Sequence, residues 1–80
     1  MSNITYFVVL AFVRTEDGIV AEQALELPSR ASAIGRARAL ALSKAGAVAF
    51  ARTGDPAIGE FSDAQVLASF GDVPKDLSEY

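Results

Sequence analysis

The chain has 80 residues and a net charge of −3, with 51% hydrophobic and 21% charged side chains. This is the composition of a globular protein, and it excludes a disordered one. Cysteine and histidine are absent, which excludes disulfides, thiolate metal sites and the commonest general base of enzymes. We expect a single domain over residues 1–80. No stretch has the length of a membrane-spanning helix or the pattern of a signal peptide, so we expect a cytoplasmic protein with no membrane partner.

Residues 4–13, I-T-Y-F-V-V-L-A-F-V, are rich in β-branched and aromatic side chains and carry no charge. This composition predicts a strand rather than a helix. Because side chains alternate along a strand, both faces of this one are apolar. We therefore expect it in the middle of a sheet, with a cover on each face.

Asp17-Gly18 indicates a tight turn, because these residue types accept the positive φ angles that such turns need. Residues 19–27 alternate in polarity and predict the second strand of a β-hairpin. In the register of a two-residue turn, six apolar side chains share the face that a helix would cover: Val8, Leu10, Phe12, Ala21, Leu25 and Leu27. A three-residue loop would reverse the faces, because a one-residue slip turns every side chain over.

Residues 30–45 predict the main helix, since they are rich in alanine, leucine and arginine. Ser29 has the position of an N-cap, and Gly46 that of the left-handed residue that ends a helix. The apolar face is mostly alanine, so we expect the helix to lie close to the sheet. Gly35 costs this helix roughly 1 kcal/mol relative to alanine, and we interpret it as a sign of a close backbone contact.

The last third leaves two alternatives open. Residues 47–52 predict a third strand before a turn at residues 53–56. Ser62 begins a capping box for a short helix, whereas residues 65–70 alternate as a strand, which we prefer. The predicted fold is α+β, a small antiparallel sheet in the order β-β-α-β-β, the last element being a strand or short helix, with one main helix packed on one face. We expect residues 75–80 to be a frayed tail.

Asp55, Glu60 and Asp63 are candidate metal ligands, because oxygen-rich loops bind Ca²⁺ or Mg²⁺. Their spacing fits no EF-hand loop, and an ordinary turn explains the same residues. No reaction class stands out, since the chain lacks histidine, cysteine and a glycine-rich phosphate loop. We therefore predict no enzyme and no cofactor, with a small metal-dependent binder or enzyme as an alternative.

Four arginines are candidate nucleic-acid contacts: Arg30, Arg36, Arg38 and Arg52. Such residues meet phosphate in nucleic-acid-binding proteins. However, Arg36 and Arg38 lie about 160° apart around a helix, and the chain is acidic overall. Solvated charges above an apolar helix flank explain the same pattern.

Phe7, Val9 and Val13 fall on the face away from the predicted helix. One helix cannot cover both faces of a sheet, and an exposed apolar patch usually marks an interface. We therefore predict a non-enzymatic protein-interaction module, with a second copy of the chain or another protein as its partner. In the alternative, residues 57–74 fold back over that face.

The segment Arg52 to Pro74, R-T-G-D-P-A-I-G-E-F-S-D-A-Q-V-L-A-S-F-G-D-V-P, resembles a stretch in short uncharacterised bacterial proteins. The rest of the chain resembles them loosely. That group has no assigned activity, so the resemblance implies a compact bacterial domain and transfers no site residues.

Overall fold

A computed structural model describes residues 3–74. Along this part of the chain, the elements are β1 (Ile4–Thr15), β2 (Gly18–Ala21), β3 (Leu25–Leu27), α1 (Arg30–Leu40), β4 (Gly46–Asp55), β5 (Glu60–Phe61) and β6 (Gln65–Gly71). All strand pairs are antiparallel. The central pair is β1 with β4; β2 and β3 lie outside β1, and β5 and β6 lie outside β4.

Within the described residues, the α+β class, the antiparallel sheet and the main helix are confirmed, but the order of strands differs from the prediction. The predicted second strand is divided into β2 and β3, and the two-residue strand β5 precedes the last one. β6 covers the segment for which a short helix was the alternative, so that segment is a strand. The predicted tail at 75–80 lies outside the described residues.

One core lies between α1 and the sheet. Val9 is paired with Ala49, and both are fully buried against Ala33 and Ala37 of the helix. The partly buried side chains around this cluster are Phe7, Leu27, Ile34, Leu40, Ala41, Leu67 and Phe70. Alanines therefore meet alanines at this interface, which agrees with the expected close packing of helix and sheet.

The predicted assignment of faces is wrong. Val9 is fully buried under α1, Phe7 packs against the same cluster, and Val13 is half-buried. Phe7 and Val9 thus belong to the helix-covered core and do not form the exposed interface expected of them. The helix takes this side because β4 presents the small side chains of Ala47 and Ala49 there, whereas Val48 and Phe50 project from its other side.

A one-residue slip between β2 and β3 contributes to this reversal. Between the Phe12–Ala21 pair and the Val9–Leu25 pair, β1 spans three residues (12 − 9), whereas the opposing segment spans four (25 − 21). The additional residue places the side chains of Leu25 and its neighbours on the opposite face of the sheet from the predicted one. Leu27 consequently lies opposite Phe7 and packs in the helix-covered core instead of beside Val8.

The helix begins where it was predicted but ends earlier. Ser29 is the N-cap, and Ser29 and Ser32 form a reciprocal capping box with two side-chain-to-backbone bonds of 3.1 Å. The helix ends at Leu40 rather than at residue 45, because the amide of Ala45 already donates to the carbonyl of Phe12 at 2.9 Å. Gly46 is therefore the first residue of β4 and not the end of the helix.

We call the other side of the sheet the helix-free face. Its buried residues are Leu10, Phe12, Val48 and Phe50, with Val8, Ile19, Ala21, Ala64 and Val73 packed against them. The sheet is curled, and Ala64 and Val73, which flank β6, help to cover this side. The chain thus shelters apolar residues on both faces of β1, and the expected need for a partner over an open face loses its support.

Candidate functional site

The helix-free face carries a groove of about 460 Å³. Its lining residues are Tyr6, Val8, Leu10, Ala21, Glu22, Ala24, Phe50, Arg52 and Phe61. The volume falls within the range of small-molecule sites, which are concave, mostly apolar and supplied with a few polar groups. The groove is therefore the first candidate site.

The central strand pair forms the floor of the groove. Side chains two residues apart on a strand share a face, which brings Tyr6, Val8 and Leu10 of β1 beside Phe50 of β4. The ring of Phe61 on β5 packs against the ring of Tyr6, with centroids 5.8 Å apart and a tilt of 53°. The slip after β2 brings Glu22 and Ala24 into the lining as well.

Arg52 supplies a positively charged side chain to the lining of this groove. It lies on β4 opposite Tyr6, in the half-buried range, and its Nε atom is buried with no hydrogen-bond partner. Buried polar atoms almost always have a partner, so each exception calls for an explanation. Because Arg52 lines the groove and forms no ion pair within residues 3–74, its guanidinium indicates a place for an acceptor.

The other charge at the groove is already neutralised. Glu22 lies 3.2 Å from the Nζ of Lys44, and the two side chains are 40% and 30% exposed. Between residues 3 and 74, the second ion pair joins Arg14 to Asp72. Neither pair involves Arg52, so the groove retains the positive charge of this residue.

The four arginines predicted to contact nucleic acid do not share one surface. Arg38 lies over the ring of Phe70, 5.6 Å from its centroid, on the helix side of the sheet. Arg30 and Arg36 are exposed on the same helix. Arg52 lines the groove on the helix-free face. The sheet therefore separates Arg52 from the other three, and a common phosphate-binding surface of all four does not form.

The three predicted metal ligands are not brought together. Asp55 and Glu60 are opposed on β4 and β5 and line a cleft of about 380 Å³ that does not include Asp63. The Oδ1 atom of Asp55 accepts a hydrogen bond from the amide of Ala57 at 2.9 Å, as in an ordinary aspartate turn. The described residues contain no group of three or more potential metal ligands of the His, Cys, Asp and Glu types, and nothing supports a catalytic role.

The second candidate surface is the outer edge of β6. This strand pairs with β4 and with no other strand of the described sheet. Its seven residues, Q-V-L-A-S-F-G, carry no charge. Val66 is 51% exposed. The strand also contains one register shift opposite Ala49 and Phe50, where Leu67 is the additional residue.

The groove was not predicted from the sequence, although Arg52 was selected for another role. Arg52 ends the run A-V-A-F-A-R, and a charge directly after five apolar residues is the one signal that pointed to it. Tyr6 and Phe61 gave no comparable signal, because their proximity depends on the short strand β5.

Comparison with protein-family models, curated proteins and solved structures finds no match to this chain. Within residues 3–74, no helix has the length and apolar character that crossing a membrane requires. Any functional proposal for this chain therefore depends on its own geometry.

Proposed function

We propose that this chain is a non-enzymatic protein-interaction module that forms a homodimer, and that the outer edge of β6 is the contact. The supporting observation is the uncharged, seven-residue strand at this edge of the described sheet. The backbone N–H and C=O groups on the outer side of an edge strand are a ready template for pairing with another chain.

The opposite edge of the sheet is protected against such pairing. β2 and β3 contain four and three residues, and the interruption between them breaks the ladder. Glu22 lies in this interruption and Glu26 lies on β3. Short edge strands and charged side chains are the means by which proteins prevent edge-to-edge association. β6 is longer than either of these strands, and than the two-residue β5 on its own side of β4, and it carries no charge, which favours β6 as the contact.

The regular half of β6 suits a twofold contact. Leu67 is the additional residue at the register shift, so residues 68–71 are the part of the strand that continues the ladder evenly. An antiparallel pair centred on Ser69 keeps matching faces together, with Phe70 of one copy opposite Ala68 of the other. A large side chain then meets a small one, and no like charges are opposed.

Ser69→Lys tests this proposal in sedimentation equilibrium. Ser69 is exposed, so lysine fits the single chain, but at the twofold axis two lysines would oppose each other and repel. We expect a concentration-dependent dimer for the unchanged chain and at least tenfold weaker association for the variant, a loss of about 1.4 kcal/mol or more.

Gln23→Lys is the matched control, because Gln23 is exposed between β2 and β3, at the opposite edge of the sheet from β6. It should dimerise like the unchanged chain, and circular dichroism should show the same fold for all three proteins. A strictly monomeric unchanged chain at high micromolar concentration would contradict the proposal, as would equal weakening by both lysines.

A further inference from the structure

We infer that the groove on the helix-free face binds a small amphipathic carboxylate, with its apolar body along the strands and its carboxylate on Arg52. This inference goes beyond the dimer. The groove is built from residues of a single chain, whereas the proposed contact is the edge of β6.

The unpartnered guanidinium of Arg52 is the observation that points to an anion. Its Nε is buried without a hydrogen-bond partner, and neither ion pair formed among residues 3–74 includes it. A carboxylate matches the planar fork of a guanidinium and forms charge-assisted hydrogen bonds with it.

The rest of the groove requires an apolar body on that anion. Val8, Leu10 and Phe50 form the floor, and Phe61 forms the wall next to Tyr6. Apolar surface removed from water contributes favourably in proportion to its area. A ligand that is polar along its whole length would lose its hydration here without gaining partners.

The charges at the groove favour a monoanion. Glu22 is paired with Lys44 at 3.2 Å, so Arg52 provides the uncompensated charge among the lining residues. A dianion would leave one negative charge without a partner at an apolar surface, which is unfavourable. Because Glu22 is already held by Lys44, the ligand's head lies at Arg52.

Isothermal titration of the full chain with decanoate, below its micelle-forming concentration, tests the inference. Decanol and decylammonium have the same apolar body with a neutral and a positive head. We expect decanoate to bind at least about tenfold more tightly than decanol, and decylammonium to bind more weakly than both. Equal binding of all three probes, or no binding of decanoate, would overturn the inference.

Arg52→Gln should remove the preference of decanoate over decanol, whereas Arg36→Gln, on the exposed side of α1, should retain it. A preference that survives in folded Arg52→Gln would overturn the inference. If Arg52→Gln does not fold, the ranking of the three probes on the unchanged chain still decides the question.

The same titration on Ser69→Lys separates this inference from the dimer. Because the groove belongs to one chain, a monomeric Ser69→Lys variant should bind decanoate with unchanged affinity. If decanoate fails to bind and Val8→Lys in the groove abolishes dimerisation, the groove takes a second copy and the inference is overturned.

Discussion

Gly35 lies in the middle of α1 with its surface exposed, and a Cβ added there would meet no atom within 4 Å. Glycine in a helix interior is less favourable than alanine because it loses more backbone freedom on folding. We predict that Gly35→Ala raises the free energy of unfolding by about 1 kcal/mol, or the melting temperature by about 4–8 °C for a chain of this size. Thermal denaturation followed by circular dichroism measures this.

Gly46→Ala is the contrasting change for the same experiment. Gly46 is buried at the start of β4, and a Cβ there would collide with the backbone of Asp72. Backbone cannot yield as a flexible side chain can, so we expect a lower melting temperature. An unchanged or lower melting temperature for Gly35→Ala would contradict the prediction and would show that this helix position is constrained by something other than the packing around it.

The sequence suggested a close backbone contact at Gly35, and the open space around it shows that this interpretation is wrong. The contact exists instead at Gly46, which the sequence assigned to the end of the helix. Local sequence shows that a glycine inside a helix is unusual. Which glycine has no room for a side chain depends on the distant segment that approaches it, and at Gly46 that segment is Asp72, directly after β6.

The helix and the sheet meet through alanine. Ala33 and Ala37 of α1 pack on Ala47 and Ala49 of β4, and all four are fully buried. Small side chains on both elements leave no room for a larger one, because overpacking a close-packed core forces backbone shifts. This contact fixes which face of the sheet the helix covers.

We predict that Ala37→Leu lowers the free energy of unfolding by about 1–3 kcal/mol, measured by urea denaturation. Ala39→Leu is the matched control, because Ala39 is exposed on the same helix and leucine is nearly as good a helix former as alanine. Equal effects of the two leucines would contradict the close packing of α1 on β4.

The positions of the helix and strands were largely predictable, whereas the face of the sheet that each side chain occupies was not. The strand at β1, the cap at Ser29 and the strand at β6 follow from local composition and spacing. The slip at residues 22–24, E-Q-A, has no glycine or proline to signal it, yet it turns Leu25 and Leu27 over. The helix end depends on Ala45 reaching the carbonyl of Phe12, which is a long-range contact without a local pattern.

For the molecule as a whole, the two edges of the sheet differ. The β2 and β3 edge consists of two short strands and carries acidic side chains, while β6 is longer than either and carries no charge. A twofold contact at β6 therefore closes on itself, because the remaining outer edges of the dimer are protected ones. A closed pair rather than a growing fibre is the expected assembly.

Oxidative cross-linking of Ser69→Cys tests the edge-to-edge dimer most directly, because the chain has no cysteine of its own. Directly opposed residues of an antiparallel pair have Cβ atoms about 4.5–5.5 Å apart, close to the separation that a disulfide spans. We predict rapid formation of a covalent dimer by Ser69→Cys and little by Gln23→Cys, at the opposite edge of the sheet, at the same dilute concentration. Equal cross-linking of the two variants, or none at Ser69→Cys, would contradict the β6 contact.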